Sequence, residues 1–169
     1  MSSDELRHRV SVNINGVVYR GDATARTLLT DFLRDELGFT SMRVGCEHGV
    51  CGACTIELDG DLARACLKFA VQVDGRQLRT VDGLAEDDGS LSVLQRAMKE
   101  HFALQCGYCM PGILMTLNHH LADGGAADED TLRDVLSGNL CRCTGYSAMV
   151  EAAMDAARTL HDRESSHDV

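Results

Sequence analysis

The arrangement of eight cysteines constrains this 169-residue chain more than any other feature. They fall into two sets of four. Three cysteines of the first set lie within a single glycine-rich stretch, and the fourth follows a little later in the chain. The second set consists of a C-x2-C pair and a Cys-x-Cys pair, separated by about thirty residues. The first set is Cys46, Cys51, Cys54 and Cys66, and the second set is Cys106, Cys109, Cys141 and Cys143.

The rest of the chain predicts a cytoplasmic protein. Eight cysteines are unusual in such a protein and need an explanation. Residues 1–9 are polar and show no secretory signal. No apolar run approaches the roughly 20 residues that are needed to span a membrane. The formal net charge of −10 argues against nucleic acid and anionic membranes as partners. Because cytoplasmic thiols stay reduced, a disulfide framework is not expected, and metal binding is the favoured interpretation.

The first set has the spacing C-x4-C-x2-C with a fourth cysteine further on, which is typical of plant-type [2Fe–2S] sites. Such a loop must bring hydrogen-bond donors to an anionic inorganic core. We expect Gly45, Gly49 and Gly52 to take positive φ and turn N–H groups toward the sulfurs. Zinc is the alternative, although its cysteines more often come in C-x2-C pairs. His48 could in principle replace a thiolate, as in Rieske centres, but four cysteines make that unnecessary.

The second set is less specific when it is considered alone. A C-x2-C pair suits zinc or a thioredoxin-type dithiol as well as an iron–sulfur cluster. The Cys-x-Cys pair fits neither alternative well, because a dithiol enzyme does not need it and its short bite is awkward at a tetrahedral zinc ion. Both pairs also precede predicted helices, before Pro111 and Ser147, where the helix dipole favours thiolates. A second iron–sulfur site among helices is favoured, and zinc stays open.

The first half of the chain predicts a small mixed sheet with one helix packed across it. Residues 8–15 alternate apolar and polar, Asn15-Gly16 is a hairpin signal, and residues 17–20 form the returning strand. Residues 53–58 and 77–81 are further short strands. The helix is indicated by apolar residues at helical spacing and by Gly38, which is expected to end it. Those apolar residues are Leu28, Leu29, Phe32, Leu33 and Leu37.

The second half predicts four helices. The first is marked by apolar residues between 91 and 102, and the second begins at Pro111. Asp128 is expected to cap the third helix and Gly138 to end it. The fourth covers residues 148–160. The acidic stretch at 86–89 suggests a boundary between a domain of residues 1–86 and a domain of residues 87–169.

Three motifs together resemble a known family. They are GCEHGVCGACT at residues 45–55, QCGYCMPG at residues 105–112 and GNLCRCTGY at residues 138–146. The sequence is similar to the small iron–sulfur subunit of the molybdenum hydroxylases, the xanthine oxidase, aldehyde oxidase and carbon monoxide dehydrogenase superfamily. The resemblance covers residues 10–160, and Met110 stands where threonine is common.

The resemblance implies an α+β protein with a β-grasp, plant-type ferredoxin domain followed by a four-helix [2Fe–2S] domain. It implies that the first set holds the cluster distal to molybdenum, near FAD, and that the second set holds the proximal cluster. Gln105 and Cys143 would contact the pterin of the molybdenum cofactor. The implied partners are a large molybdenum-cofactor subunit and a medium FAD-binding subunit, in a heterotrimer that is often doubled.

Under this interpretation electrons pass from molybdenum through both clusters to FAD, and no catalytic residue is expected in this chain. The substrate would be set by the large subunit, so carbon monoxide, an aldehyde, an N-heterocycle or an aromatic thioester stay open. A free two-cluster ferredoxin is the main alternative function, and a zinc-binding interaction module is another. Colour separates the last from the others, because zinc protein is colourless and [2Fe–2S] protein is red-brown.

Overall fold

The computed structural model describes residues 6–167 and begins with a five-stranded mixed sheet. The strands are β1 (Arg7–Ile14), β2 (Val17–Thr24), β3 (Thr55–Leu58), β4 (Asp61–Arg64) and β5 (Gln77–Arg79). Their order across the sheet is β2-β1-β5-β3-β4. β1 pairs antiparallel with β2 and parallel with β5, whereas β3 pairs antiparallel with both β4 and β5. The predicted mixed sheet is therefore present, with β4 as a strand that the sequence pattern did not indicate.

The β1–β2 hairpin follows from local sequence. Val10, Val12 and Ile14 are buried on one face of β1, which confirms the predicted alternation. Asn15 and Gly16 form the turn with φ of 52° and 85°, and two positive φ values in succession match the twist of the flanking strands.

One short helical segment packs across the sheet. It starts as α1 (Leu29–Asp31) and continues as a π-helix (Phe32–Glu36). Leu29, Phe32 and Leu33 are buried in the core of the first domain, as their spacing predicted. Gly38 follows with φ of 80°, so its predicted role as the helix stop is confirmed. The widening to a π-helix was not predicted.

The second half contains α2 (Val93–Glu100), α3 (Met110–Ala122), α4 (Glu129–Leu136) and α5 (Ser147–His167). Their buried faces form a second core that is rich in leucine, methionine and alanine. Ser92 caps α2 by accepting a hydrogen bond from the Gln95 N–H, at 3.3 Å. Asp128 caps α4 by accepting from the Thr131 N–H at 3.0 Å, as predicted.

Two details of the helical half correct the expectations. Pro111 is the second residue of α3 rather than the first. Gly138 follows the end of α4, but its φ is outside the left-handed region, so the helix does not end by a glycine in that conformation. Instead, a Cβ on Gly138 would lie 3.0 Å from Arg64 Nη2 of the first domain. The glycine therefore lies in close contact with an arginine side chain of the first domain.

The boundary between residues 86 and 87 stays a prediction. Residues 86–89 do form an exposed turn, in which the Gly89 N–H donates to Glu86 O at 2.8 Å. Leu84, however, already packs in the helical core. No helix in the described part of the chain is long and apolar enough to cross a membrane.

Candidate iron–sulfur sites

The first cysteine set is built on the loop that leads into β3. Gly49 and Gly52 adopt positive φ, of 83° and 74°, as expected. Gly45 does not, and the expectation for it was wrong. A Cβ on Gly45 would lie 3.0 Å from the sulfur of Cys51, so this glycine leaves room for a cysteine side chain. Glu47 takes the left-handed conformation instead, with φ of 58°.

Within the first set, the cysteines approach each other in two pairs. The Cys51 N–H donates to Cys46 Sγ at 3.4 Å. This bond, together with backbone contact from His48, lowers the pKa of Cys46 to about 6. Cys66 is in contact with Cys54, and burial together with that contact raises the pKa of Cys66 to about 11. Cys54 and Cys66 are only 2% and 3% exposed.

The second set brings together two segments that lie far apart in sequence. Cys106 Sγ and Cys143 Sγ are 3.6 Å apart, and Cys109 contacts Cys141. Cys109 is the N-cap of α3, and Cys141 and Cys143 lie just before α5. Burial, followed by the contact with Cys141, raises the pKa of Cys109 to about 12. Cys106 and Cys143 are exposed in this chain, in contrast to the buried pair of the first set.

Both sets fit a [2Fe–2S] cluster in the chemistry of their donors. All eight cysteines are free thiols. Within residues 6–167, no three His, Cys, Asp or Glu side chains are grouped as a site for a single metal ion. A [2Fe–2S] core takes two cysteines at each iron, and the arrangement of each set in two pairs matches that requirement. Thiolates are the binding form, so cluster assembly must release protons from Cys66 and Cys109.

Hydrogen bonds around one sulfur of the second set, that of Cys141, favour its thiolate form. Although burial opposes it, contact with Thr144 Oγ1 at 3.2 Å and backbone donors lower the pKa of Cys141. Tyr146 holds the loop, because its hydroxyl accepts from the Cys141 N–H at 2.6 Å and donates to Asn139 O at 3.0 Å. Tyr146 lies within the third motif but was not among the predicted site residues.

The two sites adjoin across a cavity of about 210 Å³ between the domains. Residues of both sets line it, including Cys51 from the first set and Cys109 from the second. Tyr108 crosses the same boundary, because its hydroxyl donates to Val44 O at 2.8 Å and its ring lies 5.8 Å from the Arg43 guanidinium carbon. Arg43 thus stacks on the second domain.

The two residues predicted to contact a pterin are joined to each other. Gln105 is exposed, and its Nε2 donates to the backbone oxygen of Cys143 at 3.0 Å. Both lie on the surface at the exposed pair of the second set. Their contact with a pterin stays a prediction.

Exposed apolar side chains flank each site. Phe102 is 86% exposed and has φ of 51°, and Leu104 and Leu140 lie in the same segments as the second set. Val50, Leu67 and Phe69 are exposed in the segments of the first set. Large apolar side chains left in water are typical of surfaces that partners cover.

Comparison with known proteins now decides the family. A 2Fe-2S iron-sulfur cluster binding domain matches residues 12–85, and a [2Fe-2S] binding domain matches residues 80–154. The chain is 50% identical over 155 residues to the caffeine dehydrogenase subunit gamma of a Pseudomonas species, covering 90% of this chain and 92% of that one. It is also 38% identical to the xanthine dehydrogenase iron-sulfur-binding subunit of Escherichia coli, covering 89% and 94%. The chain is a small iron–sulfur subunit of the molybdenum hydroxylase family.

A solved structure agrees with this membership. Quinoline 2-oxidoreductase from Pseudomonas putida 86 matches with a TM-score of 0.87 and 42% identity, over 92% of this chain and 97% of that chain. The order expected for the molybdenum hydroxylase family, a ferredoxin-like domain followed by a helical [2Fe–2S] domain, is thereby confirmed. The chain is a subunit of an oxidoreductase with two [2Fe–2S]-binding domains.

Proposed function

We propose that this chain carries electrons inside a molybdenum hydroxylase complex, from the molybdenum cofactor of a large subunit through two [2Fe–2S] clusters to FAD in a medium subunit. The observation that carries the proposal is the pair of adjoining four-cysteine sets, one of which opens to the surface beside Gln105.

We propose that Cys46, Cys51, Cys54 and Cys66 hold the distal cluster, and that Cys106, Cys109, Cys141 and Cys143 hold the proximal one. Each cluster supplies one-electron redox chemistry when bound. The protein's own part is to hold sulfurs in pairs and to donate hydrogen bonds, such as that from the Cys51 N–H to Cys46 Sγ. Such bonds and the degree of exposure set the potential of a cluster. The first set contains a buried pair, Cys54 and Cys66, and the second an exposed pair, Cys106 and Cys143, so the two sets lie in different environments.

The second set is proposed to face the large subunit. Cys106, Cys143 and Gln105 are exposed there, and a pterin contact by Gln105 and Cys143 needs such access. Phe102 supports this orientation, because an aromatic residue in the left-handed region bears a conformational cost and gains no burial within the chain. A partner that covers Phe102 would supply that burial.

The first set is proposed to face the FAD-binding subunit. Its thiols of Cys54 and Cys66 are buried, whereas Val50 and Leu67, each next to a cysteine of the set in sequence, are exposed. A Cβ on Gly49 would lie 2.5 Å from Leu67 Cδ1, so Leu67 is packed directly on the cysteine loop. The apolar side chains form a short cover between the first set and a docked partner.

We propose that the complex acts in the cytoplasm on an N-heterocycle. Eight free thiols fit a reducing compartment. Two relatives at 50% and 48% identity are named for caffeine and nicotine, both N-heterocyclic compounds. The substrate site would lie in the large subunit, so an assay of the whole complex is needed.

The test is to tag this chain in its host, purify what accompanies it, and assay iron, molybdenum and flavin in the same sample. We expect molybdenum and FAD with about four irons per chain, two for each cluster. Activity would then be measured with caffeine, nicotine and quinoline beside an aldehyde as the comparison substrate. The same iron with neither molybdenum nor flavin would favour the alternative, a free two-cluster ferredoxin. Colourless, zinc-containing protein would overturn both.

A further inference from the structure

Three consecutive residues of the second domain bond to the first domain. Gly138 O accepts a hydrogen bond from Arg64 Nη2 at 2.8 Å. Asn139 Nδ2 donates to Gly52 O at 3.2 Å. The Leu140 N–H donates to Cys51 O at 2.9 Å. We call residues 138–140 the joining segment. It runs directly into Cys141, and its partners Cys51 and Gly52 belong to the loop of the first set.

Asn139 is the only side chain of the joining segment that contributes such a bond, and it is buried, with 2% of its surface exposed. Its amide orientation follows from its partners. Gly52 O can only accept, so the NH₂ group must face it, and Asn139 Oδ1 must therefore accept from Thr116 Oγ1, at 3.0 Å. Both ends of the amide are used, one toward the first domain and one toward α3. A buried amide with both ends bonded fixes the groups that it joins.

The packing around this amide leaves little room for adjustment. A Cβ on Gly52 would lie 2.6 Å from Asn139 Nδ2 and 2.4 Å from Gly138 O. A Cβ on Gly112, in α3, would lie 2.0 Å from Gly52 O. Backbone segments of the two domains therefore meet at contact distance, and we expect a change at Asn139 to shift one domain against the other.

We propose that Asn139 is the positioning residue that sets the separation and orientation of the two cysteine sets, and hence the electronic coupling between their clusters. The proposal rests on the proposed function, because it has this meaning only if both sets hold [2Fe–2S] clusters. Gly52 lies between Cys51 and Cys54, and Asn139 lies two residues before Cys141. The Asn139 side chain thus connects one position that is within two residues of a proposed ligand of the first set to another that is within two residues of a proposed ligand of the second set. Electron transfer falls steeply with separation, so a shift between the domains acts on the rate without removing a cluster.

The experiment uses the purified complex with Asn139→Leu, which keeps the approximate size of the side chain and removes both hydrogen bonds. Thr116→Val is the milder variant, since it removes only the bond to Asn139 Oδ1. Asn15→Gly is the matched control, because glycine also adopts the left-handed φ of this turn. Asn15 Nδ2 donates to Thr80 Oγ1 and its Oδ1 accepts from the Thr80 N–H, both at 2.9 Å, entirely within the first domain.

Iron per chain and the electron paramagnetic resonance spectrum of the dithionite-reduced complex are measured for each variant. In the unaltered complex, two paramagnetic clusters close together split or broaden each other's signals. We expect Asn139→Leu to keep about four irons per chain and to lose this mutual splitting, with Thr116→Val in between and Asn15→Gly unchanged. The rate of flavin reduction by substrate, measured after rapid mixing, is expected to fall several-fold in Asn139→Leu.

Unchanged splitting in Asn139→Leu with full iron would overturn the inference and leave the proposed function intact. Loss of iron from Asn139→Leu would also overturn it, because Asn139 would then be needed to hold a cluster rather than to position one. If Asn139→Leu does not fold, Thr116→Val decides, and unchanged splitting in that variant counts against the inference. An unaltered complex without two iron–sulfur signals would instead refute the proposed function.

Discussion

The two cysteine sets serve the same proposed purpose but are built in different ways. Three members of the first set lie on one loop, and Cys54 and Cys66 are buried in their own domain. The second set joins the N-terminus of α3 to the segment before α5, and it leaves Cys106 and Cys143 exposed. The first site is thus completed by a single domain. The second depends on helix packing within the chain and is proposed to depend also on cover from a partner.

The largest test of this difference is removal of one ligand from each set. Cys54→Ser and Cys106→Ser are each expected to lower the iron content from about four to about two per chain. Because Cys54 is part of the sheet core, its variant should also unfold at a lower temperature than Cys106→Ser. Iron assays and thermal unfolding followed by circular dichroism measure both effects. Equal loss of thermal stability in the two variants would contradict the contrast.

The two sets are expected to differ in the rate at which a chelator removes their iron. In the isolated chain, a ferrous chelator added after reduction should remove the irons of the second set first, because Cys106 and Cys143 are exposed, and those of the first set later, because Cys54 and Cys66 are buried. The ligand variants identify which spectroscopic signal belongs to which set. In the assembled complex, the second set should lose this sensitivity. Earlier loss from the first set in the isolated chain would show that burial of Cys54 and Cys66 does not protect it.

Gly52→Ala tests how closely the two sites are joined. The alanine would have to adopt the left-handed φ of Gly52, and its Cβ would lie 2.4 Å from Gly138 O. We expect a loss of about 3 kcal/mol in the free energy of unfolding, measured with a denaturant. Gly124→Ala is the matched control, because Gly124 has φ of 72° and open space around its Cβ position. Its cost should be about 1 kcal/mol, and equal losses would argue against a close contact.

Phe102→Gly distinguishes stability of the chain from docking of the second set. Phe102 ends α2 in a left-handed conformation, with the Ala103 N–H donating to Met98 O at 2.9 Å, a position that glycine prefers. The variant should gain about 1 kcal/mol of stability in the isolated chain while it retains less of the large subunit on purification. Val18→Gly, at an exposed residue of β2, should not affect retention. Undiminished retention in Phe102→Gly would remove Phe102 from the interface.

The smallest expected effect is that of Tyr108→Phe. The variant loses the hydrogen bond to Val44 O and keeps the ring beside Arg43, so a cost of about 0.5–1 kcal/mol is expected. Tyr146→Phe is the comparison, because it leaves the Cys141 N–H and Asn139 O without their partner and should cost about 1–3 kcal/mol. Denaturant unfolding of both variants in parallel tests whether the Tyr108 hydrogen bond contributes less to the free energy of unfolding than the hydrogen bonds of Tyr146. An equal loss in the two variants would contradict this expectation.

Much of the fold was predictable because its signals are local. The alternation of Val10, Val12 and Ile14, the Asn15-Gly16 turn and the Asp128 cap depend on neighbouring residues, and each was confirmed. The errors concern glycines whose role depends on distant atoms. Gly45 and Gly138 were expected to serve for backbone conformation, but they make room for Cys51 Sγ and Arg64 Nη2. Arg64 is far from Gly138 in the chain, and although Cys51 lies in the same loop as Gly45, the path of that loop is not specified by the spacing of its residues.

The sequence by itself determined the donor chemistry, the division into a sheet half and a helical half, and the family. These features depend on the spacing of cysteines and of apolar residues over short stretches of the chain. Only the tertiary structure decided which cysteines approach each other, which pair is exposed, and how Asn139 joins the two sets. Asn139 and Gly52 are far apart in the chain, and their contact arises from the packing of α3 against the first cysteine loop. Such long-range contacts depend on the whole fold, which no short pattern specifies.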